Sequence, residues 1–198
     1  PTIAPFLLPK ILPKLKEELP NLNIALREDL SANLINKLNN HELDFAIIAL
    51  PYDTEGLLIK NLFNDEFWLV AQPDDPALKN KDIKVSSKMA DRLLLLEEGH
   101  CLREHSLQAC KKTEIASATG MEATSLLTLV QMLEYGAGIA LIPEMAIKAG
   151  LLNQTKLIAR PLSAPAPKRT IAIVARQSTA RIEEFNAFVK VINGGQFG

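Results

Sequence analysis

The stretch LDFAIIAL, Leu43 to Leu50, is a nearly unbroken apolar run eight residues long. A run of that length without 3.6-residue periodicity reads as a strand buried on both faces, the pattern of a parallel sheet. Its surroundings alternate in kind. Upstream, Pro5 to Glu18 carries Phe6, Leu7, Ile11, Leu12 and Leu15 at helical spacing, with Thr2 placed to cap the helix and Pro9 and Pro13 predicting a kink. After the Pro20-Asn21 turn, Leu22 to Arg27 alternates as a strand. Ser31 to Asn39 reads as an amphipathic helix with Leu34, Ile35 and Leu38 inward. Helix, strand, helix, strand in succession implies an α/β layered fold.

A second block begins near Phe67. Phe67–Gln72 reads as a strand broken by Pro73 to Pro76, and Arg92–Glu97 as a buried strand leading into the segment EEGHCLREHSLQAC (97–110). Leu126–Tyr135 follows as a helix opened by the hydroxyls of ATS and stopped by Gly136 and Gly138. Ile139–Ile142 reads as a strand, Glu144–Lys148 as a helix and Leu157–Pro161 as a strand. SAPAP (163–167) is a stiff connector, Arg169–Ala175 a long strand and Ala180–Ile192 a terminal helix.

Cys101 and Cys110 are the two cysteines of the chain. The eight residues between them hold neither Gly nor Pro, and most favour helix. In a helix, nine steps place the two Cα atoms ~13.5 Å apart along the axis and on nearly opposite faces. A disulfide needs Cα atoms roughly 4.4–6.8 Å apart. The helical form therefore cannot be the disulfide form, which is the physical requirement for a redox switch. The competing reading is two ordinary buried thiols. His100 before Cys101, Arg103 after it and a position near a helix N-terminus favour a reactive thiolate at Cys101; Glu97 and Glu98 oppose it. Cys110 sits where the helix dipole disfavours an anion.

Composition limits the alternatives. The 198 residues are 47% hydrophobic and 23% charged with a formal net charge of −1, so no global basic field invites nucleic acid. There is no 18-residue apolar run, no export signal and no zinc-type Cys/His spacing, so neither metal nor cofactor is expected. Pro1 leads at once into helix-like sequence, which suggests a fragment.

Several segments together resemble the effector-binding domain of the LysR-type transcriptional regulators: LLPKILPKLKEELPNL, LNNHELDFAIIAL and ATSLLTLVQMLEYGAGIALIP. GHCLREHSLQAC further resembles the redox segment of the peroxide-sensing members, in both cysteines, their spacing, His100 and Arg103. The resemblance implies two periplasmic-binding-protein-like α/β subdomains joined by two crossover strands. The first would be residues 1–70 plus 170–198, and the second, carrying the cysteines, 71–169. It implies that hydrogen peroxide oxidises Cys101 to a sulfenic acid and that Cys110 resolves it to an intramolecular disulfide, switching a homodimer (a tetramer in the full-length protein). Thr2, Ser31, His100 and Arg103 would place peroxide. Ser31 stands where a Thr is expected, and Glu122 where some members carry a basic residue. The competing reading of Thr2 is a plain helix cap, that of Ser31 likewise a cap, which is the favoured one there, and that of Arg103 a solvated helix residue. His105 and His41 read as surface residues, Asp44 as structural, and Arg169 as a salt-bridge or site residue at the second crossover.

The implied setting is cytoplasmic and away from membranes. Promoter DNA would be bound through an N-terminal winged helix-turn-helix absent from this chain. RNA polymerase and a glutaredoxin- or thioredoxin-type reductant would be partners. Competing functions are a small-molecule effector domain with incidental cysteines, a thiol peroxidase and a periplasmic binding protein. The peroxidase reading lacks a CxxC or a peroxiredoxin-type Pro-x-x-x-Thr-x-x-Cys pattern, and the periplasmic reading lacks an export signal.

Overall fold

The computed structural model describes residues 1–111 and 121–194. Its elements are α1 (Ala4–Glu18), α2 (Ser31–Asn39), β1 (Phe45–Leu50), β2 (Leu57–Ala71), α3 (Ser87–Ala90), β3 (Leu95–Leu96), α4 (Cys101–Ala109), β4 (Glu122–Ala123), α5 (Leu126–Glu134), β5 (Ala140–Pro143), α6 (Glu144–Lys148), β6 (Ile158–Pro161), β7 (Lys168–Arg176) and α7 (Ile182–Asn193). The chain forms two compact units. One holds Pro1, Ile3–Asp65 and Thr170–Gly198, the other Thr2 and Glu66–Arg169. The chain passes between units at 65/66, earlier than the break at 70 expected from the sequence. β2 runs through that point as one strand, so the breakers at Pro73–Pro76 mark the end of the strand and not the border of the unit.

In the first unit, β1 pairs antiparallel with β7, Phe45 opposite Ala175 and Leu50 opposite Thr170. This corrects the parallel pairing read from the apolar run. Burial on both faces comes instead from helices on both sides of an antiparallel pair. Ala46, Ile48 and Val174 pack with Leu38 of α2, joined by Leu34 and Ile35. Ile173 and Ala175 pack with Phe185 of α7, joined by Phe45 and Ile47 on the alternate face of β1. The Phe45 ring meets Phe185 and Phe188 edge-on, with centroids 5.4 and 5.8 Å apart. Arg176 Nη1 donates to the carbonyls of Leu38 and Leu43, satisfying the end of α2 and the entry to β1.

The strand expected at Leu22–Arg27 is not formed. Its side chains do alternate at Leu22 and Ile24, but Leu26 is 57% exposed. Alternation specifies a face; a ladder needs a neighbouring strand. α1 runs from Ala4 through Pro9 and Pro13, its buried stripe Leu7, Ile11 and Leu15 at i, i+4, i+8. Its N-cap is Ile3, with no side-chain cap, so Thr2 does not cap it.

In the second unit the later half of β2 is central. Trp68 lies opposite Ile142 of β5 on one side and Pro161 of β6 on the other, both antiparallel. The Arg92–Glu97 strand shortens to β3, which pairs parallel with β4: Leu95 with Glu122, Leu96 with Ala123. Leu93 to Leu96 are all buried. Ser125 Oγ accepts the Thr128 N–H, which fixes the start of α5. Gln72 Nε2 donates to the carbonyl of Glu134 at 2.6 Å, closing the other end.

Candidate functional site

α4 is the centre of the site. Gly99, at φ +88, makes a turn that L-residues rarely adopt, and His100 follows in extended conformation as the N-cap. Cys101 is the first helical residue and Cys110 the C-cap, and both are thiols. Lys111, at φ +55, ends the helix and donates its N–H to the Gln108 carbonyl at 2.9 Å. Lys112 and Thr113, which continue the segment, lie outside the described residues. The thiols thus stand at opposite ends of one helix, ~13.5 Å apart along its axis by rise alone. Cys101 is half-buried and Cys110 is buried.

Leu102, His105, Ser106 and Leu107 are the buried residues of the helix. His105 is therefore no surface residue. Its i+3 spacing from Leu102 was the signal for this, since both lie on one face of the helix. His41, by contrast, is exposed, at φ +61 in the turn after α2.

Arg103 is not a solvated side chain either; only 12% of it is exposed. Its Nη1 donates to the Leu96 carbonyl at 3.0 Å and to Glu122 Oε1 at 2.7 Å. The sequence marked both residues but gave no reason to pair them, because 18 residues intervene and only the β3–β4 ladder brings them together. His100 is 8% exposed. Burial pushes its imidazolium pKa below the ordinary 6.5, with Glu97 pulling the other way. The unfolded chain then binds a proton below about pH 6.5 that the folded chain resists. Stability should be full above that pH and fall as pH drops toward the lower folded value. Denaturant unfolding at pH 7.5 and 5.5 checks this: His100→Gln should lose part of the pH dependence, and identical dependence in both proteins would exclude it.

A second grouping in the same unit joins Thr2 and Arg169. Arg169 is fully buried, and its guanidinium donates to Thr2 Oγ1 at 2.8 Å and to the Thr2 carbonyl at 3.0 Å, with Met145 Sδ at 3.5 Å. The Thr2 hydroxyl oxygen is thereby an acceptor, and its own proton points away from Arg169. Thr2 is 4% exposed. Ser31 lies in the first unit, 8% exposed at the first position of α2. It is not the cap: Leu30 takes that place without a side-chain cap bond, and the Leu30 N–H is satisfied by Asp29 Oδ1. Asn33, the Leu30 N–H and Lys37 together hold the Asp29 carboxyl down to about 2. Asp44 forms an exposed ion pair with Arg181 at 3.3 Å. Among the described residues no cluster of His, Cys, Asp and Glu could hold a metal ion.

Two α/β units traversed twice by the chain define an effector-binding domain of the periplasmic-binding-protein type. Residues 1–195 match the model of the LysR substrate binding domain, and the chain belongs to that family. It is 35% identical over 193 residues to the HTH-type transcriptional regulator EstR of Acinetobacter baylyi, covering 97% of this chain and 64% of that protein. It is 31% identical over 200 residues to the DNA-binding transcriptional dual regulator OxyR of Escherichia coli, covering 100% and 65%. The reduced form of the regulatory domain of OxyR2 from Vibrio vulnificus superposes with a TM-score of 0.86 at 37% identity, covering 98% of this chain and 91% of that one. The chain spans a little under two thirds of the length of these two curated relatives.

Proposed function

We propose that this domain is the peroxide-sensing regulatory part of a LysR-type transcriptional regulator, a sensor and not an enzyme. The observation that carries the reading is the placement of two thiols at the two ends of one helix, Cys101 half-buried at the N-terminus and Cys110 buried at the C-cap. At the first helical position a developing thiolate meets the positive end of the dipole; at the C-cap it does not. In the first step the Cys101 sulfur attacks hydrogen peroxide. The O–O bond breaks, one oxygen stays on sulfur as the sulfenic acid, and the other leaves as water. In the second, the Cys110 sulfur attacks that sulfenic sulfur, the S–O bond breaks and a second water leaves. Two electrons pass in total from the two thiols to one peroxide. Thr2, with its hydroxyl oriented by Arg169, together with Ser31, His100 and Arg103 would place the peroxide.

Self-association is part of the reading, supported by the exposure of Leu127 (69%) and Tyr135 (81%) on and just after α5. Promoter DNA would be bound by a part of the protein outside this chain. RNA polymerase and a glutaredoxin- or thioredoxin-type reductant are proposed partners, and the cytoplasm the proposed compartment, since a reversible thiol switch needs reducing surroundings. No helix among the described residues is long and apolar enough to cross a membrane.

The match to the LysR substrate binding domain supports a second reading, a small-molecule effector domain with incidental cysteines. Thiol titration and intact mass after one equivalent of hydrogen peroxide separate the two. The sensor loses two thiols and two hydrogens. Cys101→Ser should abolish that loss, and Cys110→Ser should leave a trappable sulfenic acid on Cys101. Two thiols surviving in the wild type would establish the second reading. A sulfenic acid on Cys110 in the Cys101→Ser protein would reverse the assignment.

A further inference from the structure

We propose that Glu122 is a positioning residue that holds α4 in its thiol form, acting through Arg103. The proposal rests on the reading of Cys101 and Cys110 as a redox pair. Arg103 lies two residues past Cys101, in the first turn of α4. One nitrogen of its guanidinium bonds both the Leu96 carbonyl on β3 and the Glu122 carboxylate on β4. Those two strands are themselves joined, Leu95 to Glu122 and Leu96 to Ala123, with the Glu97 N–H donating to the Ala123 carbonyl at 3.0 Å. A single side chain therefore fastens the end of the helix that carries Cys101 to a two-stranded platform.

Joining Cys101 to Cys110 requires their Cα atoms to close from ~13.5 Å to within roughly 4.4–6.8 Å. The helix between them must give way, and a fastened first turn resists that. The carboxylate adds charge to the hold; Arg103 is well shielded, with 12% of its side chain exposed, while Glu122, with 35%, stands at the surface, so the bond is partly screened by solvent. Glu122 thus stabilises the dithiol relative to the disulfide and sets how readily the pair oxidises. Its negative charge also offsets the cation that would otherwise act beside Cys101, so a purely electrostatic effect must be separated from the mechanical one.

The test is redox equilibration of the whole domain with glutathione. In that exchange glutathione disulfide accepts two electrons from the two cysteines, giving the protein disulfide and two glutathione thiols. Glu122→Gln should raise the equilibrium constant for oxidation roughly 2- to 10-fold, the scale of a partly exposed charged hydrogen bond. Glu122→Asp keeps the charge but withdraws the carboxylate by one methylene, and should shift the constant the same way. Glu98→Gln removes an exposed charge three residues from Cys101 and should change it less than twofold. Amide exchange of residues 102–106 in the thiol form should quicken in both Glu122 variants and not in Glu98→Gln. Unchanged constants and exchange in Glu122→Gln, wild-type behaviour of Glu122→Asp, or an equal shift in Glu98→Gln would each overturn the proposal. If the wild type forms no disulfide at all, the redox reading of the cysteines fails instead, and amide exchange in the thiol form still decides whether Glu122 holds the helix.

Discussion

Oxidation of the two thiols to a Cys101–Cys110 disulfide should speed amide exchange across residues 102–110 on the order of 100-fold. In the thiol form these amides belong to a hydrogen-bonded helix, with Arg103 N–H on the His100 carbonyl at 2.9 Å and Cys110 N–H on the Ser106 carbonyl at 3.2 Å. Leu102 and Leu107, 2% and 6% exposed, anchor it. Each fully buried leucine contributes roughly 1.5–3 kcal/mol. The bond geometry cannot be met while nine helical steps separate the cysteines, so the intervening turns must open and part of that burial is forfeited. Losing even one anchoring leucine lowers the opening free energy enough for a change of that order. The disulfide offsets this cost, which predicts an oxidised form that is strained and readily reduced. Hydrogen–deuterium exchange read by mass spectrometry on both redox states gives the answer. Equal protection in the two, with the disulfide confirmed by mass, would show that the segment closes without refolding.

Gly138→Ala should destabilise the domain by about 3 kcal/mol or more. A β-carbon at Gly138 would stand 2.3 Å from the Arg92 carbonyl oxygen and 3.3 Å from Leu94 Cγ. That oxygen is not free to retreat: it accepts the Ile139 N–H at 3.0 Å, and the neighbouring Leu94 N–H bonds the Ile139 carbonyl at 2.8 Å. Relieving the clash therefore combines overpacking, about 1–3 kcal/mol, with loss of a buried backbone hydrogen bond, about 1–3 kcal/mol more. At roughly 2–4 °C per kcal/mol for a chain of this size, Tm should fall by about 10 °C. Gly56→Ala is the comparison. Gly56, at φ +75, has nothing within 4 Å of its would-be β-carbon, so only the left-handed backbone penalty of about 1–2 kcal/mol applies. Thermal melts followed by circular dichroism distinguish the two, and a Gly138→Ala shift no larger than that of Gly56→Ala would refute the steric account.

Local order was legible in the sequence. The bounds of α2 and α6, the start of α5 at Leu126 behind its Ser125 cap, and a helix between the two cysteines all depend on residues within a few positions of one another, and each formed close to where its sequence placed it. Propensity, capping and periodicity act at that range. The thiol placement belongs here too: a nine-residue separation, once helical, fixes the axial gap without any tertiary information.

What the sequence could not supply were choices between partners distant along the chain. LDFAIIAL announced a strand buried on both faces, but its antiparallel mate lies about 125 residues away in β7, and two helices rather than parallel neighbours cover it. Leu22–Arg27 had the alternation of a strand and no ladder to join. Thr2 and Ser31 had the chemistry of caps, yet Ile3 and Leu30 occupy those positions, and the Thr2 hydroxyl accepts from Arg169, 167 residues on. Arg103 found its carboxylate only because β3 and β4 pair. Local propensity costs little to satisfy within one segment, whereas these contacts each require loop closure. Only the collapse of a whole unit around its core compensates for that entropy, so only the tertiary structure could decide them.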